Sequence, residues 1–507
     1  MPTSPQLPLI QHAQTHAARV AVSADGQEYT YAQLLDASAR VASGLLAHAH
    51  AADLAGERVC FLVAPGFAYV AILWGIYRAG GVAVPLCVSH PAPELAHVLD
   101  DARPSQLVAD AAYAERIRTL ADERKLALAA ASALLAHAPT ELPSVELDRH
   151  ALLIYTSGTT GKPKAAITTH AILDAQLRSI ARAWELAPSD RILHVLPLHH
   201  LHGILNALSA LLYAGATVEF LPQFDASAVL ARFVAAPALT IFMGVPTMYA
   251  KLAQLAESLP TSERESLRAH LSALRVIISG SAALPVTLLA RFEAISGHVL
   301  LERYGMTELG MALGNPLHGQ RRAGTVGVPF PEVEARIVDD AGEPLPDAAQ
   351  GELQIRGPNV FAGYFNRSEA THEAFTADGY FRTGDVAVRE QGYYRLLGRA
   401  SVDIIKTGGF KVSALEIEEV LREHSAIAEV AVIAVPDPEW GERVAAAVVL
   451  HAQHELTLPE LREFGKAHLA SYKVPSLLFC LPALPRNVMG KVEKTTLLKQ
   501  VTPNATS

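Results

Sequence analysis

The chain has 507 residues, half of them hydrophobic, which is too many for one core and enough for several. Its 42 basic against 51 acidic residues leave a net charge of −9, so the composition gives no reason to expect nucleic acid or an anionic membrane surface as a partner. Cys60, Cys87 and Cys480 are far apart and read as reduced, mostly buried residues without metal-ligand neighbours, and no apolar run is long and charge-free enough to span a membrane.

The first sixteen residues hold no arginine or lysine, and Asn504-Ala505-Thr506-Ser507 is not a peroxisomal address, so a cytoplasmic protein is expected. Thr30 with Gln33 resembles a capping box, followed by Leu34, Val41 and Leu45 near helical spacing. Residues 58–63 read as a strand, 66–78 as an apolar helix and 82–85 as a strand, the βαβ rhythm of a layered α/β domain with buried parallel strands. The rhythm continues with strands near 192–196, 217–221, 239–242 and 275–279 and helices near 171–184, 204–213 and 285–295. The alanine-rich stretch 126–138 reads as helix. From about residue 324 shorter strands and Gly/Pro turns predict a β-rich subdomain ending near 398. Beyond it, a helix at 413–423, strands at 429–435 and 443–450, a helix opened by Thr457-Leu458-Pro459-Glu460 and a strand near Leu477 predict a small α+β domain over 404–507. The expected fold is therefore α/β, with a large domain over 1–398 and a small C-terminal one.

The chemistry concentrates where the apolar strand 152–155 runs into Thr156, Ser157, Gly158, Thr159, Thr160 and Gly161. Glycines let successive N–H groups turn toward one anion, hydroxyls add donors, and Lys162 and Lys164 supply charge. The spacing is not that of a P-loop, because Gly158 and Gly161 are too close and Pro163 follows the lysine. The stretch resembles the phosphate-binding signature of the adenylate-forming superfamily, which holds acyl-CoA synthetases, firefly-type luciferases and the adenylation domains of nonribosomal peptide synthesis.

Further stretches carry the same resemblance in order. Glu302-Arg303-Tyr304-Gly305-Met306-Thr307-Glu308 is similar to the stretch whose ring lies against adenine, whose threonine meets the α-phosphate and whose glutamate holds Mg²⁺; the resemblance gives these roles to Tyr304, Thr307 and Glu308. Thr383-Gly384-Asp385 and Gly398-Arg399 resemble the pair that grips the ribose and a phosphate, and Lys491, in Pro485-Arg486-Asn487-Val488-Met489-Gly490-Lys491, resembles the lysine that bridges the carboxylate substrate and ATP. Asp403 sits where the family has its hinge, in a segment 399–403, and Lys406-Thr407-Gly408-Gly409-Phe410-Lys411-Val412 resembles the turn that lines the pantetheine tunnel once the small domain has rotated. The resemblance implies ATP, Mg²⁺ and coenzyme A, an acyl-adenylate made in a first half-reaction, and its capture by a thiol in a second.

Arg303 points to the acid. A guanidinium beside an acyl pocket is costly to desolvate unless an anion meets it, which asks for a second carboxylate on the substrate. The segments around His200, His202, Gly280, Ser281, Arg303 and Met306 resemble the malonyl-CoA synthetases, in particular the mitochondrial-type branch, and imply that Arg303 pairs with the distal carboxylate of malonate or methylmalonate, helped by His202 and Ser281. His200 matches a histidine general to the superfamily. The competing readings are an outward Arg303 paired with Glu302, Glu308 or a surface acid, a His202 satisfied within the core, a short-chain or aryl acid as substrate, and a carrier protein in place of CoA, for which Arg399 and Lys411 would be contacts to discriminate.

Overall fold

The computed structural model describes residues 7–156, 163–486 and 490–502. Two large sheets dominate. The first has seven strands in the order Gly363–Tyr364, Lys164–Thr169, His150–Thr156, Val82–Pro85, Arg58–Leu62, Gln106–Ala109 and Ala127–Ala130. The second has nine: Val328–Pro329, Gly310–Gly314, Leu301–Met306, Val276–Ser279, Ile241–Gly244, Arg191–His194, Thr217–Phe220, Val20–Ala24 and Gln27–Thr30. Their parallel interior strands, such as Val82–Pro85, Ile241–Gly244 and Val276–Ser279, are buried at every position, as strands covered on both faces must be.

The principal core joins the two sheets, with Val59 and Ile154 from one and Ile192 and Ile278 from the other around the helix Phe67–Arg78. That helix is buried without interruption from 69 to 77, which explains why its sequence is apolar all round rather than on one stripe. The predicted capping box is present: Gln33 N–H donates to Thr30 Oγ1 at 3.3 Å, and Gln33 Oε1 accepts from Thr30 N–H at 2.7 Å. Thr457 and Glu460 form a second one before Leu458–His468.

One expectation fails. Residues 126–138 are not a single helix but the strand Ala127–Ala130 followed by the short helix Ala131–Leu135. Ala127 to Ala130 pair in parallel with Gln106–Ala109, and that row of backbone hydrogen bonds outweighs the helix preference of alanine.

The β-rich part is a four-stranded antiparallel sheet of Glu334–Val338, Gln350–Arg356, Phe381–Glu390 and Tyr393–Arg399. Beyond Asp403 the chain builds a five-stranded sheet from Ile404–Thr407, Phe410–Ser413, Ile427–Asp437, Gly441–Leu450 and Leu477–Cys480, with its own apolar clusters around Val432 and Ala447.

The nine-stranded sheet fixes the place of the site. Arg191–His194 has its sequence successor Thr217–Phe220 on one side and the later Ile241–Gly244 on the other, so the order reverses there and a crevice opens at the carboxyl ends of the strands. The chain leaving Arg191–His194 carries His199, His200 and His202 into that crevice. It then winds into a wide π-type stretch over His202–Ser209, closed by a hydrogen bond from Ser209 Oγ to Ile204 O at 2.6 Å. Gly203 is required at the joint, since a Cβ there would stand 2.2 Å from Pro197 O.

Candidate active site

Thr307 and Glu308 lie in the turn of the hairpin formed by Leu301–Met306 and Gly310–Gly314. The strand presents Tyr304 to the β-rich sheet, where its hydroxyl donates to Asp385 Oδ2 at 2.6 Å. Asp385 and Arg399 are opposite one another in register on neighbouring strands, and Arg399 Nε donates to Asp385 Oδ1 at 2.9 Å while Nη1 reaches Thr383 O at 3.0 Å. Burial pushes the Asp385 carboxyl up, with Arg399 and Tyr304 opposing it. Glu308 is buried too, and its Oε1 accepts from the Tyr364 hydroxyl at 2.9 Å, with the Lys164 ammonium 5.2 Å from the centre of the Tyr364 ring. Desolvation holds Glu308 above the usual carboxylate range, a penalty that a cation would relieve. Thr156 and Lys164 are opposite residues at the open ends of two antiparallel strands; Ser157, Gly158, Thr159, Thr160, Gly161 and Lys162, between them, lie outside the described residues.

Lys491 comes to this corner from the small C-terminal sheet's end of the chain. Its ammonium is pushed below the ordinary lysine range by burial and by Arg399, against the attraction of Asp385, and Arg303 adds to the repulsion. The residue is exposed to solvent and stands among charged groups rather than in an apolar core. Gly490 seats against Thr247, where an added Cβ would be 3.2 Å from Oγ1, beside a cavity of about 210 Å³ lined in part by Leu196, Pro197, Val245 and Met248. His200 faces the same field. Burial, with His90 and Lys491, lowers it to about 4, which keeps the imidazole neutral.

Arg303, only 3% exposed, is the unusual member of this site. Side chains alternate along a strand, so Arg303 and its neighbour Glu302 face opposite ways. Glu302 accepts from Leu284 N–H at 3.2 Å and is raised to about 8 by burial. The outward reading of Arg303, paired with Glu302 or Glu308, is therefore corrected: among the described residues neither carboxylate meets it, because one points to the other face and the other is held by Tyr364. Burial lowers the guanidinium to about 9, so it stays charged at neutral pH. Among the described residues its Nε and Nη2 have no hydrogen-bond partner. Those two nitrogens share the edge that receives a carboxylate side-on. The guanidinium packs closely on Gly280, whose position admits no side chain, since a Cβ would stand 2.3 Å from Arg303 Cζ.

Beside it Ser281, held at a φ of 69°, pairs its hydroxyl with His202 Nδ1 at 3.1 Å. Such a backbone conformation in a non-glycine residue is uncommon and concentrates at functional sites. Desolvation and then Arg303 keep His202 well below its ordinary pKa, hence neutral. Met306 is half-buried, with its sulfur 3.8 Å from the Tyr304 hydroxyl. Gly280→Ala is expected to push the guanidinium off its seat and to cut turnover of a dicarboxylate by roughly 100-fold while sparing ATP binding, measured as kcat/KM and as the Kd for ATP.

Other residues singled out from the sequence fall elsewhere. Gly408 and Gly409 form the left-handed turn between Ile404–Thr407 and Phe410–Ser413, with Gly408 N–H donating to Trp440 O at 3.0 Å. Lys411 pairs with Asp340 at 3.0 Å. Arg399 is engaged with Asp385 and Thr383, not on a basic outer surface. Asp403 Oδ2 accepts from Arg399 N–H at 3.0 Å, while Oδ1 holds Lys494 at 2.6 Å, and Lys494 also reaches Glu418 at 2.7 Å. Tyr364 and Lys494 were not foreseen, since neither stands in a motif. His90 was missed despite a visible signal, the spacing Cys87-Val88-Ser89-His90.

The AMP-binding enzyme profile matches residues 9–365, and the AMP-binding enzyme C-terminal domain profile matches residues 416–491. The chain belongs to the AMP-binding enzyme family. It is 42% identical to mitochondrial malonate–CoA ligase ACSF3 of Mus musculus, over 99% of this chain and 93% of the relative. ATP-bound MatB from Rhodopseudomonas palustris superposes with a TM-score of 0.91 at 32% identity, covering 99% of this chain and 100% of that one. A malonyl-CoA ligase ternary product complex with methylmalonyl-CoA and AMP gives a TM-score of 0.69 at 35% identity, covering 95% and 100%. The fold is the family's: mixed α/β with a large N-terminal and a small C-terminal domain. No helix among the described residues is long and apolar enough to cross a membrane.

Proposed function

We propose that this protein is an ATP-dependent malonate–CoA ligase, making malonyl-CoA with release of AMP and pyrophosphate. The observation that carries the acid is the buried Arg303 edge, with Nε and Nη2 unpartnered on a glycine-walled seat beside a neutral His202. A buried guanidinium with nothing on its bidentate edge is expensive, and a substrate carboxylate removes that cost. In the tautomer in which Ser281 donates to His202 Nδ1, the proton of His202 sits on Nε2, which has no partner among the described residues and would donate to the same carboxylate.

In the first half-reaction the proximal carboxylate attacks the α-phosphorus, the α–β anhydride bond breaks and pyrophosphate leaves. Tyr304 and Asp385 orient the nucleoside, Arg399 braces Asp385, and Lys491 supplies positive charge between Arg399 and Arg303 where carboxylate and phosphate meet. Thr156, Lys164 and Thr307 flank the phosphates. The residues present fit Mg²⁺: Glu308, buried and without a cation, would hold it, and the ion would neutralise phosphate charge. In the second half-reaction the CoA sulfur attacks the acyl carbon, its proton passes to solvent and AMP leaves. We assign residues 399–403 as the hinge between a large domain over 1–398 and a small one over 404–507, with Asp403 at the pivot and Gly408, Gly409 and Lys411 carried to the thiol path. The higher likeness to an ATP-bound relative than to a CoA product complex of greater identity supports a domain orientation suited to adenylation. That relative's CoA product also favours CoA over a carrier protein as acceptor.

AMP release by the purified protein with ATP, Mg²⁺ and CoA, compared across malonate, methylmalonate, succinate, acetate, octanoate and benzoate, tests the reading. Malonate is expected to lead, with methylmalonate following, since one methyl group is worth only about 1–3 kcal/mol of discrimination. Preference for octanoate or benzoate would overturn the acid and leave the adenylation chemistry standing.

A further inference from the structure

Next to this site, and unused by the reaction above, two ligand-bearing side chains from one short segment meet a third from a distant part of the chain. Cys87, His90 and His199 place one donor atom each within 4.8 Å of one another. A tetrahedral zinc spaces sulfur and nitrogen ligands roughly 3.3–3.7 Å apart, so a small inward movement closes the set. This revises the sequence reading of the cysteines. Cys480 is exposed, and Cys87, though buried, does have metal-ligand neighbours.

The chemistry of the cluster fits a soft divalent ion. A thiolate and two imidazoles are ligands that such an ion prefers. Ser89 Oγ lies 3.1 Å from Cys87 Sγ. His90 Nδ1 is 3.2 Å from Glu94 Oε2, the carboxylate–histidine arrangement that fixes a ligating imidazole and leaves Nε2 to the metal. His199 Nε2 has no hydrogen-bond partner, and burial keeps that ring neutral. Cys87 is 4% exposed, too enclosed to serve as a nucleophile toward a bulky substrate, whereas the half-buried His90 and His199 leave a path for an ion. Three protein ligands leave a fourth position for water.

Its position couples it to catalysis. Ala83 is opposite Leu152 in parallel register, so the strand Val82–Pro85 that leads to Cys87 runs beside the strand His150–Thr156. The His199 ring is 4.0 Å from that of His200, which shares its electrostatic field with Lys491. We propose that Cys87, His90 and His199 form a binding site for Zn²⁺, whose occupancy pins the His199–His200 turn and slows adenylation. The Cys87 proton passes to solvent as the zinc–sulfur bond forms.

Co²⁺ added to the full chain should produce a thiolate-to-cobalt charge-transfer band, displaced by Zn²⁺, in wild type and in Cys480→Ala but not in Cys87→Ala. Glu94→Gln should keep the band and weaken Zn²⁺ affinity roughly 10–100-fold, a readout independent of any effect of the Cys87 change on folding. ATP–pyrophosphate exchange should fall with zinc occupancy in wild type, recover with a chelator, and be insensitive to zinc in Cys87→Ala. Absence of the cobalt band in wild type, or its persistence in Cys87→Ala, overturns the site. Exchange that is unchanged at full zinc occupancy overturns its effect on catalysis. The cobalt measurement needs no substrate, so an error in the assigned acid would not disturb it.

Discussion

Replacing Arg303 by alanine is expected to lower kcat/KM for malonate by roughly 30- to 5,000-fold, because stripping one partner from a buried charge pair costs about 2–5 kcal/mol. Propionate, which has the same length without the second carboxylate, should lose nothing and gain relative to malonate, since in wild type it leaves Nε and Nη2 as they stand in the empty pocket, buried and unpaired. Arg303→Lys should recover little. A lysine is a point charge on a flexible stem and cannot present the planar two-nitrogen edge of Nε and Nη2 to a carboxylate. The same geometry makes a statement about stability. An unpaired guanidinium at 3% exposure is a burden on the ligand-free protein, so Arg303→Met should unfold no earlier than wild type and may be compared by thermal melting with and without malonate. Malonate should raise the melting temperature of wild type and not of Arg303→Met. Undiminished malonate turnover in Arg303→Ala would refute the pairing.

Why Arg303 was legible, and Gly280 as its seat was not, comes down to range. The cost of burying a guanidinium is local and can be read from the residue type beside a pocket motif. The Gly280 contact exists because Val276–Ser279 and Leu301–Met306 are parallel neighbours, which brings the residue after one strand against the middle of the other. The buried strands 82–85 and 275–279 announced themselves by runs of β-branched and apolar residues, and the structure has them at Val82–Pro85 and Val276–Ser279. Ala127–Ala130 did not, because alanine's own preference is helical and only the pairing with Gln106–Ala109 makes it a strand. Tyr364 on Glu308 and Lys494 on Asp403 are single residues that arrive from other elements, and no spacing in the sequence marks them. Cys87 and His90 did carry a local spacing, but His199 reaches them only through the fold.

The two half-reactions should separate cleanly by mutation. Lys491→Ala is expected to reduce formation of malonyl-adenylate by about 10²- to 10³-fold, the usual cost of removing one preorganised donor to a developing charge. Capture of preformed malonyl-adenylate by CoA should survive, because the proposed rotation about Asp403 would withdraw the lysine before that step. Gly409→Leu should do the reverse. Gly409 sits at a φ of 82° with open space around it, so a bulky side chain there disturbs the turn locally and leaves the nucleotide corner, built from Tyr304, Asp385 and Arg399, untouched. Pyrophosphate exchange measures the first step and consumption of isolated adenylate measures the second. The pH dependence adds an independent check on the lysine. Burial and Arg399 push its ammonium below the ordinary lysine range, and adenylation needs the charged form, so the rate should be full below that lowered pKa and fall as pH rises through it. The thiol-capture step should lack this basic limb. Loss of both steps in Lys491→Ala would overturn the separation, and undiminished adenylation in that variant, or an adenylation profile flat across the alkaline range, would place the lysine outside the first step.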